Sequence, residues 1–358
     1  MNYRIDSASS MPAYLQLYKQ LVQDITSGIY PYNTKLPSKR TISQETGVSV
    51  LTVAHAITLL NEEGYVQCRE RSGAFVIYRG EDFLEAMTKQ ELFPLEKETL
   101  TSEVGDFPFS VLAKTMRRVL LDYGERILIK SPNQGCPELR NEICLYLARS
   151  RGITVSPAQI IVGAGVEYLY ALIAQLLEPG HLIAIENPSY QKIREVYTAM
   201  GLSCDPLTMT PEGLSSKDLE ATKATVLHIT PFHSFPSGVT AGISKKLEYL
   251  RWAKKRNGIL IEDNYDSELT ISKKIEEPLF SMDKDAKVIY LNTFSRTLSP
   301  SMRAGYMILP PQLVESFQEK LGFYSCTVPI FEQYVLAELL KSGDFERHIN
   351  RIRRRKRK

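Results

Sequence analysis

The chain has 358 residues, more than one ordinary compact core accommodates, so two domains are expected. Hydrophobic residues make up 43% and charged residues 24% of the sequence, which fits a soluble globular protein. The net charge is only +3, which excludes a protein-wide field that attracts nucleic acid, so any DNA site has to be argued from local residues.

Membrane and secretory classes are disfavoured by the apolar pattern. The best candidate for a bilayer span, Ile160 to Leu177, contains Glu167 and Gln175, and the first ten residues lack an apolar signal-peptide core. The five cysteines are scattered and form no CxxC pair. We therefore expect a cytoplasmic protein with reduced thiols, no membrane contact and no metal site.

Residues 12–78 show the pattern of three short helices and a hairpin. Apolar residues recur at helical spacing in the first helix, namely Tyr14, Leu17, Tyr18, Leu21, Val22 and Ile25. Ser38 is placed to cap the second helix, and the third helix is predicted to start at Ser49. Two short strands are predicted at 65–68 and 74–78, on either side of a polar turn.

The rest of the chain has a different organisation. Residues 79–103 are charged and weakly patterned, and we interpret them as a linker between domains 1–78 and 104–358. Helical segments then alternate with apolar strands, which are predicted at 160–164, 182–186, 224–230, 259–263, 287–292 and 304–309. This alternation predicts an α/β domain with a mostly parallel sheet and helices on both faces.

The second and third helices are joined by the tight turn Thr46-Gly47-Val48, as in a helix-turn-helix. Side chains that suit phosphate or groove contacts lie on these helices and in the hairpin turn, namely Lys39, Arg40, Ser49, Thr52, Arg69 and Arg71. On these residues alone, the solvated face of an ordinary three-helix unit is an open alternative.

The stretch from Tyr14 to Val76 resembles the GntR-type winged helix along its whole length. The matching positions are Gly28, Leu36 to Arg40, Gly47 to Ser49, Thr52, Val53, Leu60, Glu63, Gly64 and Gly73. The resemblance implies contacts with duplex DNA from Ser38, Arg40, Ser49, Thr52 and Gly73. The chain departs from the family at Val50, where a basic residue is usual, so direct guanine readout is expected to be lost there.

Two segments of the second domain suit a phosphorylated aromatic cofactor. Gly163, Ala164 and Gly165 follow a predicted strand and open a helix, where backbone N–H groups and the helix dipole can hold a phosphate. Tyr190 follows the next predicted strand and can stack on an aromatic ring. Glycine-rich turns are also common packing devices, so this signal is weak by itself.

Two further segments suit a pyridine ring with a phosphate. Asp263 ends a predicted strand and can pair with a protonated pyridine nitrogen, and Tyr265 can bond a ring hydroxyl. Thr293, Ser295 and Arg303 place two hydroxyls and a cation in one loop, which suits a phosphate. In isolation, the acidic segment is equally compatible with a solvated loop.

In this order, the segments resemble the fold-type I aminotransferase domain, and a GntR-type head joined to it is the arrangement of the MocR regulators. The segments that carry the resemblance are 131–143, 160–170, 184–190, 228–238, 260–268 and 292–306. The resemblance implies that the nine residues named in the two preceding paragraphs hold pyridoxal 5'-phosphate. It also implies a homodimer that binds paired half-sites in DNA.

Arg296 stands where the family's lysine forms a Schiff base with the cofactor aldehyde. A guanidinium stays protonated and offers no free amine, so no normal covalent link is expected and no catalytic residue is assigned. Non-covalent cofactor binding is one alternative. The other is an empty pocket in which Arg296 pairs with phosphate or with Asp263.

The sequence ends at HINRIRRRKRK, where family members continue into a small subdomain that supplies an arginine for the substrate carboxylate. We therefore expect that subdomain to be missing. The favoured interpretation is a DNA-binding regulator, not an enzyme, whose aminotransferase-like domain responds to pyridoxal phosphate, an amine, an amino acid or a vitamer. The alternatives are an aminotransferase with an accessory DNA-binding head and a regulator that no longer senses a ligand.

Overall fold

The computed structural model describes residues 3–6, 9, 11–70, 72–79, 107–177, 180–270 and 277–357. The chain divides into two compact units, Met1–Thr99 and Leu100–Lys358. Arg71 and nearly all of the predicted linker lie outside the described residues. Within the described ranges, no helix combines the length and apolar character that a bilayer crossing requires.

The first unit contains the three helices and the hairpin that the sequence predicts. Its elements are α1 (Ala13–Thr26), α2 (Lys39–Thr46), α3 (Val50–Glu62), β1 (Val66–Arg69) and β2 (Gly73–Val76). Ser38 is confirmed as the N-cap of α2, because its side chain accepts the Thr41 N–H at 3.1 Å. Ser49 caps α3 in the same way and accepts the Thr52 N–H at 3.1 Å. Gly47 ends α2 with φ of 70°, a left-handed conformation that favours glycine.

The core of the first unit is formed by one apolar face of each helix together with the hairpin. Its most buried members include Leu17, Leu21, Ile42, Val53, Leu60 and Val76. Because α3 uses this face for the core, its other face and its first turn are available at the surface.

The second unit alternates helices and strands, as the sequence predicts. Its helices are α4 (Phe109–Tyr123), α5 (Pro137–Arg151), α6 (Val166–Leu177), α7 (Gln191–Ala199), α8 (Ser216–Ala221), α9 (Ile243–Lys255), α10 (Leu279–Met282), α11 (Pro311–Leu321), α12 (Ile330–Lys341) and α13 (Asp344–Lys356). Its strands are β3 (Ile160–Gly163), β4 (Leu182–Asn187), β5 (Ser203–Thr210), β6 (Gly213–Leu214), β7 (Val226–Ile229), β8 (Ile259–Asp263), β9 (Lys287–Thr293) and β10 (Gly305–Ile308).

These strands form one sheet among the described residues, in the order β3-β10-β9-β8-β7-β4-β5-β6. The pairs from β9 to β5 are parallel, whereas β10 runs antiparallel to both of its neighbours. The predicted mostly parallel sheet is therefore confirmed, with β10 inserted antiparallel and the short edge strand β6 antiparallel to β5. Because β10 reverses between them, β3 runs in the same direction as β9.

Helices cover both faces of this sheet, as predicted. Neighbouring residues of one strand enter different cores, since Leu260 packs with α8 and α9 whereas Ile261 packs with α6, α7 and α11. A third cluster joins α5, α12 and α13 to the β3–β10 end of the sheet. Strands buried on both faces explain the nearly continuous apolar runs in the sequence.

Candidate ligand site and DNA interface

A cavity of about 380 Å³ lies at the carboxyl edge of the sheet, where β3, β4, β7, β8 and β9 all end. This is the edge at which open α/β sheets bind ligands. The described residues that line it are Gly165, Val166, Glu167, Tyr170, Tyr190, Ile193, Thr230, Phe235, Asp263, Tyr265, Thr293, Ser295, Arg296, Pro300 and Arg303. Seven of the nine predicted cofactor residues are thus brought together around one cavity, and Arg296 joins them.

The other two predicted residues, Gly163 and Ala164, are not part of this lining. Gly163 pairs with Gly305 inside the sheet, and the Ala164 N–H donates to Thr327 Oγ1 at 2.9 Å. Gly165 alone of the three faces the cavity. Its φ is +87°, and a Cβ there would lie 3.1 Å from Arg303 Nη2, so glycine is required for two reasons.

One end of the cavity carries a cation and a helix N-terminus. Arg303 Nη2 lies 2.5 Å from Glu167 Oε2, and Lys192 Nζ lies 3.3 Å from the other oxygen of this carboxylate. Burial acts to raise the pKa of Glu167, but the hydrogen bond and charge of Arg303 outweigh it and hold that pKa below its ordinary value. The first N–H groups of α6, which begins at Val166, have no acceptor within their helix. This end is suited to an anion that displaces Glu167 from Arg303.

The hydroxyls of Thr293 and Ser295 tie the following loop together. Thr293 Oγ1 donates to the Ala304 carbonyl at 3.2 Å, and Ser295 Oγ donates to the Met302 carbonyl at 2.9 Å. Both side chains also face the cavity. They hold Arg303 beside Gly165 and can turn towards an incoming anion by rotation about one bond.

The lining also includes Asp263, which is 2% exposed. The buried Tyr170 hydroxyl donates to Asp263 Oδ2, and the Tyr265 N–H donates to Oδ1 at 3.1 Å. His228 Nε2 lies 3.8 Å from Oδ2 and has no hydrogen-bond partner in the structure. Burial and the nearby Asp263 charge raise the pKa of Tyr170 well above its ordinary value, so this phenol stays a donor. Such a carboxylate suits a cationic or N–H-bearing ring.

The buried Asp266 is not part of the lining, but it pairs with Arg296, which is. Arg296 Nε lies 3.5 Å from Asp266 Oδ1, and His233 Nδ1 lies 3.1 Å from Oδ2. The expected alternative in which Arg296 pairs with Asp263 is wrong, because Asp263 is enclosed by Tyr170 and Tyr265 whereas the Arg296 side chain is 62% exposed. Arg296 therefore borders the cavity and does not fill it.

Tyr190 and Tyr265 line the walls of the cavity. The Tyr190 ring contacts Phe235 edge to face, with centroids 6.5 Å apart. Tyr265 donates its hydroxyl to the His233 carbonyl at 3.1 Å, and burial next to Asp266 raises the pKa of Tyr265 to about 12. Both rings are placed to contact a flat ligand.

Sequence reasoning did not find several of the lining residues, namely Glu167, Tyr170, Thr230 and Phe235. The first two lie on α6, whose sequence is typical of an apolar packing helix. Their helical spacing of three was visible in the sequence, but nothing there indicated that Asp263 and Arg303 were the partners. The described residues include no group of three or more His, Cys, Asp or Glu side chains that could hold a metal ion.

The first unit presents its cations beside the helix-turn-helix. Ser38, Lys39 and Arg40 are exposed at the start of α2, and Ser49 is exposed at the start of α3. Thr52 is half-buried, and its hydroxyl lies 2.8 Å from that of Ser49.

The hairpin brings two further cations to this region. The Arg69 guanidinium stacks over the Phe75 ring at 4.5 Å, which holds it against the hairpin. A Cβ on Gly73 would lie 2.8 Å from Lys35 Cε, so this glycine lets the Lys35 side chain cross the hairpin. Sequence reasoning did not identify Lys35, because it precedes the helix-turn-helix and reaches the hairpin through the fold.

A winged helix joined to a mostly parallel sheet, with an acid, aromatic rings and a cation around one cavity at the strand ends, defines a DNA-binding protein with an aminotransferase-like domain. Comparison with known families supports both halves. Residues 13–76 match the family of bacterial regulatory proteins called gntR, and residues 97–358 match aminotransferase class I and II.

Known proteins give the same result over nearly the whole chain. It is 33% identical to the uncharacterized HTH-type transcriptional regulator YdeL of Bacillus subtilis, over 97% of this chain and 77% of the relative. It is 28% identical to the HTH-type pyridoxine biosynthesis transcriptional regulator PdxR of Corynebacterium glutamicum, over 95% of this chain and 75% of the relative. The chain belongs to the MocR-type family of transcriptional regulators, in which a GntR helix-turn-helix domain is fused to an aminotransferase-like domain.

Solved structures agree on the second unit. The chain is similar to an archaeal alanine:glyoxylate aminotransferase, with a TM-score of 0.63 and 26% identity. The similarity covers 69% of this chain and 64% of that enzyme, which is less than two thirds of its length.

Proposed function

We propose that this regulator binds pyridoxal phosphate, or a closely related phosphorylated pyridine, reversibly and without a covalent link, and that the bound ligand changes its affinity for DNA. The observation that carries the proposal is the cavity, whose lining includes Arg303, Asp263, Tyr190 and Tyr265. Arg296 also lines it, at the position where the family's lysine supplies an amine. The naming of the relative PdxR for pyridoxine biosynthesis also supports a ligand of this class.

The residues present fit the phosphate and the ring of this ligand. Arg303, the first N–H groups of α6, and the hydroxyls of Thr293 and Ser295 would hold the phosphate. Asp263 would accept a hydrogen bond from the pyridine nitrogen, and Gly165 leaves room beside the guanidinium.

The residues present do not fit covalent attachment. When bound, pyridoxal phosphate supplies an aldehyde that a free amine attacks, and a guanidinium is too basic to act as that amine. Arg296 instead pairs with Asp266 at the border of the cavity, where it can close over a ligand or contact its anionic substituents. We therefore propose ligand sensing for this domain and no transamination.

Glu167→Gln is expected to increase the affinity for pyridoxal phosphate about ten-fold. The Glu167 carboxylate neutralises Arg303 at 2.5 Å, so a phosphate dianion has to displace it and is repelled by it. Glutamine keeps the shape of the side chain and removes the charge. Equilibrium dialysis measures the affinity, with Glu315→Gln on the exposed surface of α11 as the matched charge control.

Arg303→Ala removes the positive charge from the same site and is expected to weaken the binding of pyridoxal phosphate. If the wild type and both variants bind the ligand with equal affinity, its phosphate does not bind at Arg303. The functional consequence is measured by titrating the ligand into a complex of the full chain with labelled DNA and following fluorescence anisotropy. A ligand that binds without changing the DNA affinity would contradict the sensing role.

We also propose that the side chains around α2, α3 and the hairpin contact DNA, namely Ser38, Lys39, Arg40, Ser49, Thr52, Arg69 and Gly73, together with Lys35. Two copies of the chain would pair to bind two half-sites, since two-fold proteins suit paired sites. A monomeric mass in light scattering at micromolar concentration would count against this pairing.

Arg40→Ala is expected to weaken DNA binding and to lower the slope of log affinity against log salt by about 1. Arg40 is exposed at the first turn of α2, where a cation neutralises one phosphate and releases its counterions. Lys217→Ala removes the same charge from the exposed face of α8 in the second unit and is the matched control. An unchanged slope for Arg40→Ala would remove this residue from the interface.

A further inference from the structure

The recognition helix of this regulator has an unusually uncharged surface. Residues 46–61, which include the turn and nearly all of α3, contain no Asp, Glu, Lys or Arg. The ring of His55, on the same helix, contacts Tyr14 of α1 edge to face. This helix therefore has no charged donor with which to bind a base edge.

The first turn of α3 exposes two apolar side chains. Val50 is 46% exposed and Leu51 is 73% exposed, whereas the buried face of the helix starts at Val53. Exposed aliphatic residues at the start of a helix contribute nothing to the core of this unit, which is complete without them. In helix-turn-helix proteins this first turn meets the base edges in the major groove.

The polar side chains of the same turn are engaged with the helix itself. Ser49 Oγ accepts the Thr52 N–H at 3.1 Å and lies 2.8 Å from Thr52 Oγ1. The hydroxyls of Ser49 and Thr52 are thus bonded within the helix cap, and Val50 and Leu51 present exposed apolar surface beside them.

The cations lie beside this surface and not on it. Lys39 and Arg40 are exposed at the start of α2, and Lys35 crosses the hairpin at Gly73. This arrangement matches duplex DNA, whose phosphates flank the groove and whose base edges lie between them. The cations would thus bind the phosphates of the DNA backbone, and the apolar first turn of α3 would contact the base edges.

We propose that Val50 and Leu51 read the C5 methyl groups of thymine, so that the operator carries A·T pairs under the first turn of α3. The thymine methyl is the apolar group that base pairs of unmodified DNA present in the major groove. Guanine and cytosine offer only polar atoms there, which aliphatic side chains would desolvate without a hydrogen bond.

The test starts from the sequences that the full chain selects from a pool of random duplexes. The expected sites contain thymine at defined positions within each half-site. Each of these thymines is then replaced by uracil, which removes the methyl group and keeps the Watson–Crick pair. We expect a loss of affinity of about four-fold per critical methyl, which corresponds to exposing one buried methyl group. Uracil placed outside the contacted bases is the control and should have no effect.

Two variants connect this effect to the protein. In Val50→Ala with Leu51→Ala, the preference for thymine over uracil should fall to nearly one, and alanine is a good helix former, so α3 is retained. Thr58→Ala, at an exposed position later on the same helix, should keep the preference. Val50→Arg should shift the selected base towards guanine, because arginine binds its O6 and N7 atoms.

Three results would overturn the proposal. They are selected half-sites without thymine at defined positions, uracil substitutions without effect, and a thymine preference that survives in the double alanine variant. The three results above would leave DNA binding intact. A chain that binds none of the duplexes would contradict DNA binding as well as this proposal.

Discussion

Arg296→Lys is expected to give the protein a visible absorption band with pyridoxal phosphate, and borohydride should remove that band. The wild type should bind the same ligand without a Schiff-base band, and borohydride should leave no pyridoxyl group attached to its residue 296. The difference is expected to be all or none, because a lysine can present a free amine to the aldehyde and a guanidinium cannot. Absorption spectra before and after reduction, followed by mass analysis of the reduced chain, measure it.

The structure shows what the new lysine would experience. Arg303, among the lining of the same cavity, adds a positive charge that lowers the pKa of a lysine, whereas Asp266, 3.5 Å from Arg296 Nε, acts in the opposite direction. Adding Asp266→Asn to Arg296→Lys should therefore strengthen the band at neutral pH. Arg149→Lys, on the exposed surface of α5, makes the same substitution outside the cavity and should remain colourless.

A colourless Arg296→Lys variant that is folded and has excess ligand would contradict the proposed cavity function. The nine cofactor residues predicted from the sequence would then be withdrawn, and the aminotransferase-like domain would be a scaffold for pairing two chains. This outcome would leave DNA binding untouched, because the winged helix has its own core.

Features that depend on residues close together in the sequence, such as helix caps and buried strands, were predicted well. Ser38 and Ser49 cap their helices because the cap contacts a residue three positions along. The buried strands were found because both of their faces are apolar. In contrast, β5 was missed, since it carries Asp205 and Pro206 near the edge of the sheet and alternates in exposure.

Patterns that depend on distant partners could not be predicted. Nothing in the sequence indicates that Glu167 binds Arg303, which lies 136 positions further along, or that Tyr170 donates to Asp263. The resemblance to aminotransferases predicted which loops meet at the strand ends. It did not predict which groups neutralise each other there, because these pairings depend on side chains particular to this chain.

Glu186→Gln is expected to stabilise the second unit by about 3 kcal/mol at pH 8 and to leave its stability nearly unchanged at pH 5. Glu186 lies at the carboxyl end of β4 and is 5% exposed. It accepts the Thr230 N–H at 2.9 Å and the Ser234 hydroxyl at 2.6 Å. Burial, aided by the charge of Asp263, outweighs these hydrogen bonds and raises the pKa of Glu186 to about 7.

The direction of the pH effect follows from this pKa. A carboxyl group whose pKa is higher in the folded chain binds protons more tightly when folded than when unfolded. Its contribution to stability is therefore most favourable below the ordinary value of 4.5 and is lost as the pH rises towards 7. The glutamine oxygen can accept the Thr230 N–H and its amide group can donate to Ser234 Oγ, which reverses that bond. Glutamine stays neutral, so the variant should not show this loss.

Urea unfolding at pH 5 and pH 8 measures the effect, and the chain provides its own reporter. Trp252 is the single tryptophan, and it lies buried in the core around α9, so tryptophan fluorescence follows the second unit alone. Other buried acids such as Glu262 also titrate, which is why the wild type has to be compared with Glu186→Gln at each pH. Glu315→Gln, on the exposed surface of α11, should behave like the wild type.

If Glu186→Gln and the wild type differ by the same amount at pH 5 and pH 8, Glu186 is ionised in the folded chain. The ionised Glu186, bonded to the cavity-lining Thr230, would then be a second buried negative charge in addition to Asp263.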